Sequence, residues 1–364
     1  MNPSRLSSRE RLERALRFEA VDQIPTIGGW IGGVRVLSSL AQISTDEYLK
    51  DPFAGVVSAH LNLGVDGMIS PVVPTDIDQI RTGLVEESRF AEIEPEDLVK
   101  AAEQAPSDAE IRRDFDWQAE ESALRGLFYR AKADWGGIIA LPNFWDMGGH
   151  FPLYTQFGYE AFLSACVLYP DAVQRLWEVK SLRSRLRAEI MVRLYRDINL
   201  LPVMFCGEDL CNSQGPMVSP VFLRQRYFPT VKFIIEPLVE AGVRLIHHCD
   251  GDIRTLAQDF LDLGFRGLQG FQYELGVSIR DLRQLKTNWG EPPIIWAGLS
   301  VSTTLPYGTV ADLEAEVDGF IEATEGRGLF LFTSNVTGVE VPPENIRAGY
   351  RRAQRPAPLG KPLA

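Results

Sequence analysis

Val243-Arg244-Leu245-Ile246-His247-His248-Cys249-Asp250-Gly251-Asp252-Ile253 is the stretch whose reading decides the fold. From Val243 to Cys249 it is an apolar run that carries two histidines and breaks at Asp250-Gly251, where turn-forming residues take over. A run without polar alternation suits a strand of a parallel sheet that is covered on both faces.

The same beat recurs on either side. Runs at Leu201–Glu208, Gly267–Gln272, Pro293–Leu299 and Leu329–Ser334 read as strands. Amphipathic stretches at Pro220–Glu240, Ile253–Leu263, Ile279–Thr287, Val310–Thr324 and Pro343–Ala353 read as helices. Upstream, Gln23–Gly28, Val65–Pro71 and Ile138–Leu141 bring the strands to eight. Eight βα units favour a closed (β/α)8 TIM-type barrel over an open doubly wound sheet. No G-x-G-x-x-G follows the first strand, which also counts against a dinucleotide fold.

Residues 1–354 therefore read as a single barrel domain with an N-terminal helical extension. Residues 75–135, rich in Asp and Glu, read as a helical cap inserted before the third strand, and Arg355–Ala364 as a flexible tail. Asp171–Asn199 reads as one long helix whose outer face carries Arg183, Arg185, Arg187 and Arg193, a solvated or subunit-facing stripe.

The 364 residues hold 37 Lys+Arg against 49 Asp+Glu, a net charge of −12, with 45% hydrophobic residues. That balance excludes nucleic acid and anionic membrane surfaces as partners, since both select basic patches. Met1 to Arg14 lacks an apolar signal core, and no run approaches the roughly 18 apolar residues of a spanning helix. Four scattered cysteines show no extracellular pattern, so a cytoplasmic location is expected.

In a barrel the working residues come from the C-terminal strand ends. If Leu245 fills the barrel, then His247 and Cys249 face its mouth together and are able to share a Zn²⁺. Cys206 and Glu208, on one side of the neighbouring strand, are able to add a ligand. An isolated H-x-C pair is more often a buried histidine and cysteine without any ligand. Glu208, Asp209 and Glu274 are candidates for acid–base work. Trp30, Asn143, Gln272 and Asn335 are candidates for holding a substrate, and Phe144, Trp145, Phe151 and Tyr154 for lining a pocket. His60-Leu61-Asn62-Leu63-Gly64 departs from the D-x-H-x-x-G corrinoid loop at Ser58 and in its glycine spacing, so the chain carries no corrinoid module of its own.

Several motifs together resemble the uroporphyrinogen decarboxylase-like superfamily. They are Ser8-Arg9-Glu10-Arg11 through Asp22-Gln23-Ile24-Pro25, Gly207-Glu208-Asp209-Leu210, and Gln214-Gly215-Pro216-Met217-Val218-Ser219-Pro220. His247 through Ile253, Leu305-Pro306-Tyr307-Gly308-Thr309 and Val341-Pro342-Pro343-Glu344-Asn345-Ile346 follow in order. The resemblance implies a (β/α)8 barrel and one of two chemistries, cofactor-free decarboxylation or methyl transfer linked to corrinoid proteins.

The glycine-rich Gly28 to Arg35 lacks the arginines that the decarboxylase branch uses for its substrate carboxylates. The resemblance therefore implies a methyltransferase. It would take a methyl group from an ether, amine or thiol type of small-molecule donor and pass it to a separate corrinoid protein. Zinc would sit on His247 and Cys249, completed by Cys206 or a carboxylate, because the family's third ligand position falls at Asn335. A homodimer is the family habit. A metal-independent decarboxylase and a non-catalytic tetrapyrrole- or corrinoid-binding protein are the alternatives.

Overall fold

The computed structural model describes residues 5–77, 90, 92–147 and 153–356. It is an α/β protein with parallel sheets. The strands are β1 (Ile27–Gly28), β2 (Gly67–Met68), β3 (Ile139–Ala140), β4 (Val203–Gly207), β5 (Arg244–Gly251), β6 (Gly267–Phe271), β7 (Ile294–Leu299) and β8 (Leu329–Thr333). β1–β3 form a three-stranded sheet, and β4–β8 a five-stranded one in chain order. Every pairing within these two sheets is parallel. Single parallel bridges tie their edges, Asn143 to Phe205 and Thr26 to Leu331. A short antiparallel pair, Cys211–Asn212 with Gly215–Pro216, follows β4.

Each strand splits its side chains between two cores, as period-two alternation requires. Ile27, Ile69, Leu141, Phe205, Ile246, Trp296 and Phe332 share one cluster with Trp30. Met204, Cys206, Leu245, Leu268 and Ile295 belong to a second cluster with helix residues such as Ile234 and Leu238. Leu245 thus packs beneath the helices and Ile246 lies on the opposite face. Burial of this order, at about 25 cal/mol per Å² of apolar surface, is what holds the layers together.

The helices that bear on the argument are α1 (Ser8–Leu16), α2 (Pro52–Leu63), α3 (Trp117–Asp134), α4 (Pro170–Asp197) and α5 (Phe228–Glu240). A capping box of Ser7 and Glu10 starts α1. Its Leu12, Ala15 and Leu16 join the cluster of Ile27 and plug the end where the strands begin. Arg11 hydrogen-bonds Asp22 at 2.7 and 2.9 Å and also pairs with Asp66. Asp66 in turn accepts from the Thr26 N–H at 3.0 Å. The opening motif is therefore a buried ionic clasp that joins the first helix to β1 and β2.

One expectation changes, and others fall partly outside the described residues. Within 75–135, Pro95–Glu103, Asp108–Asp114 and α3 are helical as expected, while residues 78–89 and 91 lie outside the described residues. So do Phe151 and residues 357–364 of the expected tail. The arginines of α4 do not form a free subunit-facing stripe. Arg187 pairs with Glu120 at 2.8 Å, Arg193 with Glu121 at 3.0 Å and Arg185 with Glu236 at 2.7 Å, which spends them on α3 and α5. Of the four, Arg183 alone is exposed with no ion-pair partner among the described residues.

Arg11→Ala leaves the carboxylate of Asp66, 1% exposed, without its cation. Denaturant unfolding should show a loss of about 3–5 kcal/mol, the cost of stripping one partner from a buried ion pair.

Candidate functional site

His248 lies on the inner side of β5, opposite Gly207 of β4 and Gln269 of β6 in register. Its ring stands 5.1 Å from Trp30, 5.6 Å from Phe205 and 6.4 Å from Trp145, centroid to centroid. Gln269, fully buried, donates both amide hydrogens to the carbonyls of Thr333 and Ser334, at 3.0 and 3.1 Å. Its Oε1 therefore points at His248 Nδ1, 2.5 Å away. An amide oxygen only accepts, so Nδ1 carries the proton and Nε2 is the atom presented to the mouth.

Two carboxylates meet that nitrogen. Asp209 Oδ1 is 3.4 Å from Nε2 and Asp250 Oδ1 is 3.7 Å from it. The Asp250 N–H donates to Asp209 at 2.9 Å, which ties the loop after β4 to the end of β5. Asp250 is further held by the amide of Asn335, whose own oxygen accepts from the Val336 N–H at 2.5 Å. Donor atoms of Asp209, His248 and Asp250 all lie within 4.8 Å of one another. Among the described residues no other group of three His, Cys, Asp or Glu side chains does so.

Burial works against a charged imidazole, but the two aspartates outweigh it and hold His248 up at about 9. Burial, together with the charges of Asp209 and Glu274, lifts the Asp250 carboxyl to about 7 against the pull of His248. Burial also pushes Asp209 upward, yet its hydrogen bond to His248 leaves it below the usual carboxylate range.

The expected His247–Cys249–Cys206 ligand set is not brought together. Parity also keeps them away from the trio: Leu245 packs under the helices, so His247 and Cys249 share that outer layer with Cys206. His247 stacks on Phe260 at 3.8 Å and meets Phe265 edge-on at 4.6 Å. Its Nδ1 is buried without a hydrogen-bond partner among the described residues, and burial drives its pKa down to about 3. Cys249 Sγ accepts from the Leu210 N–H at 3.3 Å, and burial pushes its thiol well up. Cys206, also buried, has its thiol aimed at the Met204 carbonyl, 3.6 Å away.

The other expected residues divide between the site and its supports. Trp30 and Asn335 belong to the site. Asn143 donates to Ser70 at 2.7 Å and stands at the β3–β4 junction. Gln272 contributes its N–H to the Gly251 carbonyl, at 3.2 Å. Glu208 is buried and is not one of the trio; burial holds the Lys180 ammonium on α4 below its usual range, with the charge of Glu208 acting against that. Glu274 accepts from Ser300 and lies close enough to act on Asp250. His60 of α2 is structural: its Nε2 accepts from the Gly29 N–H at 2.9 Å, next to Trp30. The expectations missed His248, Asp250 and Gln269 as site residues. The available signal was the spacing His248-x-Asp250, hidden beneath the overlapping His247-x-Cys249.

What such a trio can do follows from its donors. It is able to hold a divalent cation through one nitrogen and two oxygens, or to shuttle a proton at the floor of an aromatic mouth. The Gln269 bond on the far ring nitrogen is the kind of outer contact that orients a ligating or proton-carrying histidine.

No family model matches the sequence, and no curated protein matches it. Among solved structures the chain is similar to a methyltransferase from Methanosarcina mazei, at 18% identity and a TM-score of 0.63. The match covers 96% of this chain and 98% of that one. At this identity the likeness shows the fold.

Gly270 tests the site without touching its chemistry. A Cβ there would fall 2.4 Å from His248 Nδ1, on a backbone at φ +87°. Gly290, at φ +79°, has open space around it. Gly270→Ala should lower whatever turnover the protein supports by about 10²-fold, the usual effect of misplacing a reacting group. Gly290→Ala carries the same backbone strain and should retain that turnover.

Proposed function

We propose that this chain is a methyltransferase that removes a methyl group from a small-molecule donor bound over Asp209, His248 and Asp250. The arrangement of those three residues beneath Trp30, Phe205 and Trp145 is the observation that carries the reading. The likeness in fold to a methyltransferase from Methanosarcina mazei supports it, as do the motifs of the sequence. We place this chemistry on a closed (β/α)8 barrel of a cytoplasmic enzyme; the bridges Asn143–Phe205 and Thr26–Leu331 support closure.

Breaking a methyl–heteroatom bond leaves the electron pair on the heteroatom, which then needs a proton or a Lewis acid. When bound, a divalent metal such as zinc on Asp209, His248 and Asp250 supplies that Lewis acidity, and a corrinoid on a separate partner protein supplies the nucleophile. The donor set fits such an ion, because Gln269 turns His248 Nε2 toward two carboxylate oxygens, and a bound cation would take the place of the proton on that nitrogen. The chain's own residues orient the rest. Trp30 and Trp145 present rings to the donor, Asn335 fixes Asp250, and the leaving heteroatom takes its proton from the His248–Asp250 pair where no metal bears on it.

The test is methylation of reduced cobalamin by a panel of N-, O- and S-methyl compounds, followed spectroscopically. Turnover with one donor class, falling by about 10²–10⁴-fold in Asp209→Asn, His248→Gln and Asp250→Asn, is expected. Metal analysis should show the ion leaving with Asp250→Asn. Release of CO₂ from a carboxylic acid without any cobalamin methylation would replace this reading with the decarboxylase one.

A further inference from the structure

The loop that carries Trp30 to the mouth is held from behind by a histidine. His60 of α2 is fully buried, and its Nδ1 stands 2.8 Å from the Val56 carbonyl one helical turn back. A carbonyl only accepts, so Nδ1 carries the proton and Nε2 keeps its lone pair. That lone pair accepts from the Gly29 N–H at 2.9 Å. Burial pushes the His60 pKa down to about 4, so the ring stays neutral and able to accept.

The backbone is shaped to meet this ring. The Gly28 and Gly29 carbonyls accept from the Ile69 and Val72 N–H groups, at 3.1 and 2.8 Å, whereas the Gly29 N–H is given to the helix side chain. A Cβ at Gly28 would fall 2.3 Å from His60 Cδ2, and one at Gly29, with φ +124°, 2.0 Å from the Ile69 carbonyl oxygen. Glycine at both positions lets the chain pass between His60 and Ile69 and turn. Beyond the turn the Trp30 carbonyl accepts from the Thr337 N–H at 3.0 Å, and Thr337 Oγ1 accepts from the Gly32 N–H at 2.9 Å. Between these two anchors the indole packs on Phe205, Phe332 and Trp145 and stands edge-on to His248, 5.1 Å away. A buried N–H that loses its acceptor is costly, and a loop deprived of it shifts toward another.

We propose that His60 is a positioning residue of the mouth: by accepting from the Gly29 N–H it fixes the indole of Trp30 against His248. It acts through Trp30 and not on the donor itself. This deepens the methyltransferase reading and rests on it for any effect on rate. A side chain that fills the same space without an acceptor would keep the packing and lose the placement of the indole. That difference separates positioning from bulk.

The test sets His60→Leu, which fills space without an acceptor, against His60→Gln, whose amide oxygen accepts. Its first readout needs no substrate: the indole N–H resonance of Trp30, one of seven tryptophans, is assigned by its disappearance in Trp30→Phe. Aromatic rings surround that indole, so a small displacement shifts the resonance. It should move in His60→Leu and hold in His60→Gln, while that of Trp117 on α3 stays in place. With a methyl donor that turns over, kcat should fall roughly tenfold in His60→Leu, more than KM changes, and stay within about twofold in His60→Gln. If His60→Leu does not fold, Gly28→Ala, whose Cβ pushes on the imidazole, should displace the same resonance. A Trp30 resonance that stays put in these variants, equal displacement in His60→Leu and His60→Gln, or a kcat indifferent to the displacement would overturn the inference. Turnover by the unmodified protein would then leave the methyltransferase reading standing. A displaced resonance without turnover of any methyl donor by the unmodified protein would do the reverse.

Discussion

The hydrogen bond between His248 Nδ1 and the fully buried Gln269 is the contact on which the mouth depends. Gln269 has no freedom to turn, because two carbonyls from the end of β8 and beyond fix its amide. Through it the ends of β5, β6 and β8 are coupled, and one ring nitrogen is committed to a proton. The other nitrogen then meets Asp209 and Asp250, and every chemical role assigned to the site follows from that commitment. The same framework leaves no room for a side chain at Gly207, whose Cβ would lie 2.1 Å from the His248 carbonyl.

Much of the architecture was legible in the sequence, because parallel strands buried on both faces appear as apolar runs that stop at turn residues. All eight expected strands correspond to observed ones, although β1 to β3 are trimmed to two residues each. The helical stretch Pro220–Glu240 is interrupted by a wide turn at Leu223–Tyr227, which no local preference announced. The N-terminal motif turned out to be the Arg11–Asp22–Asp66 clasp at the opposite end from the site.

The face of β5 was not legible, for the reason that made the strand obvious. With Leu245 and Ile246 both apolar, nothing in the run says which one points inward. Reading Leu245 as the inner residue sends His247 and Cys249 to the mouth; the structure sends Ile246 and His248 there instead. A register shift between His248 and Gly251 then brings Asp250 beside His248. On the facing loop the positive φ of Gly207 breaks the alternation, and Asp209 rather than Glu208 reaches the trio. Such resets depend on backbone geometry that side-chain pattern does not encode.

The result is a mouth with hard oxygen and nitrogen donors where thiolates were expected, an aromatic wall and an excess of carboxylates. The measurement that bears most directly on it is the turnover of His247→Phe beside that of His248→Phe. His247 already stacks like an aromatic ring against Phe260, so its replacement should keep the fold and most of the activity. His248→Phe should lose about 10²-fold or more. Loss of activity in His247→Phe with retention in His248→Phe would contradict the account.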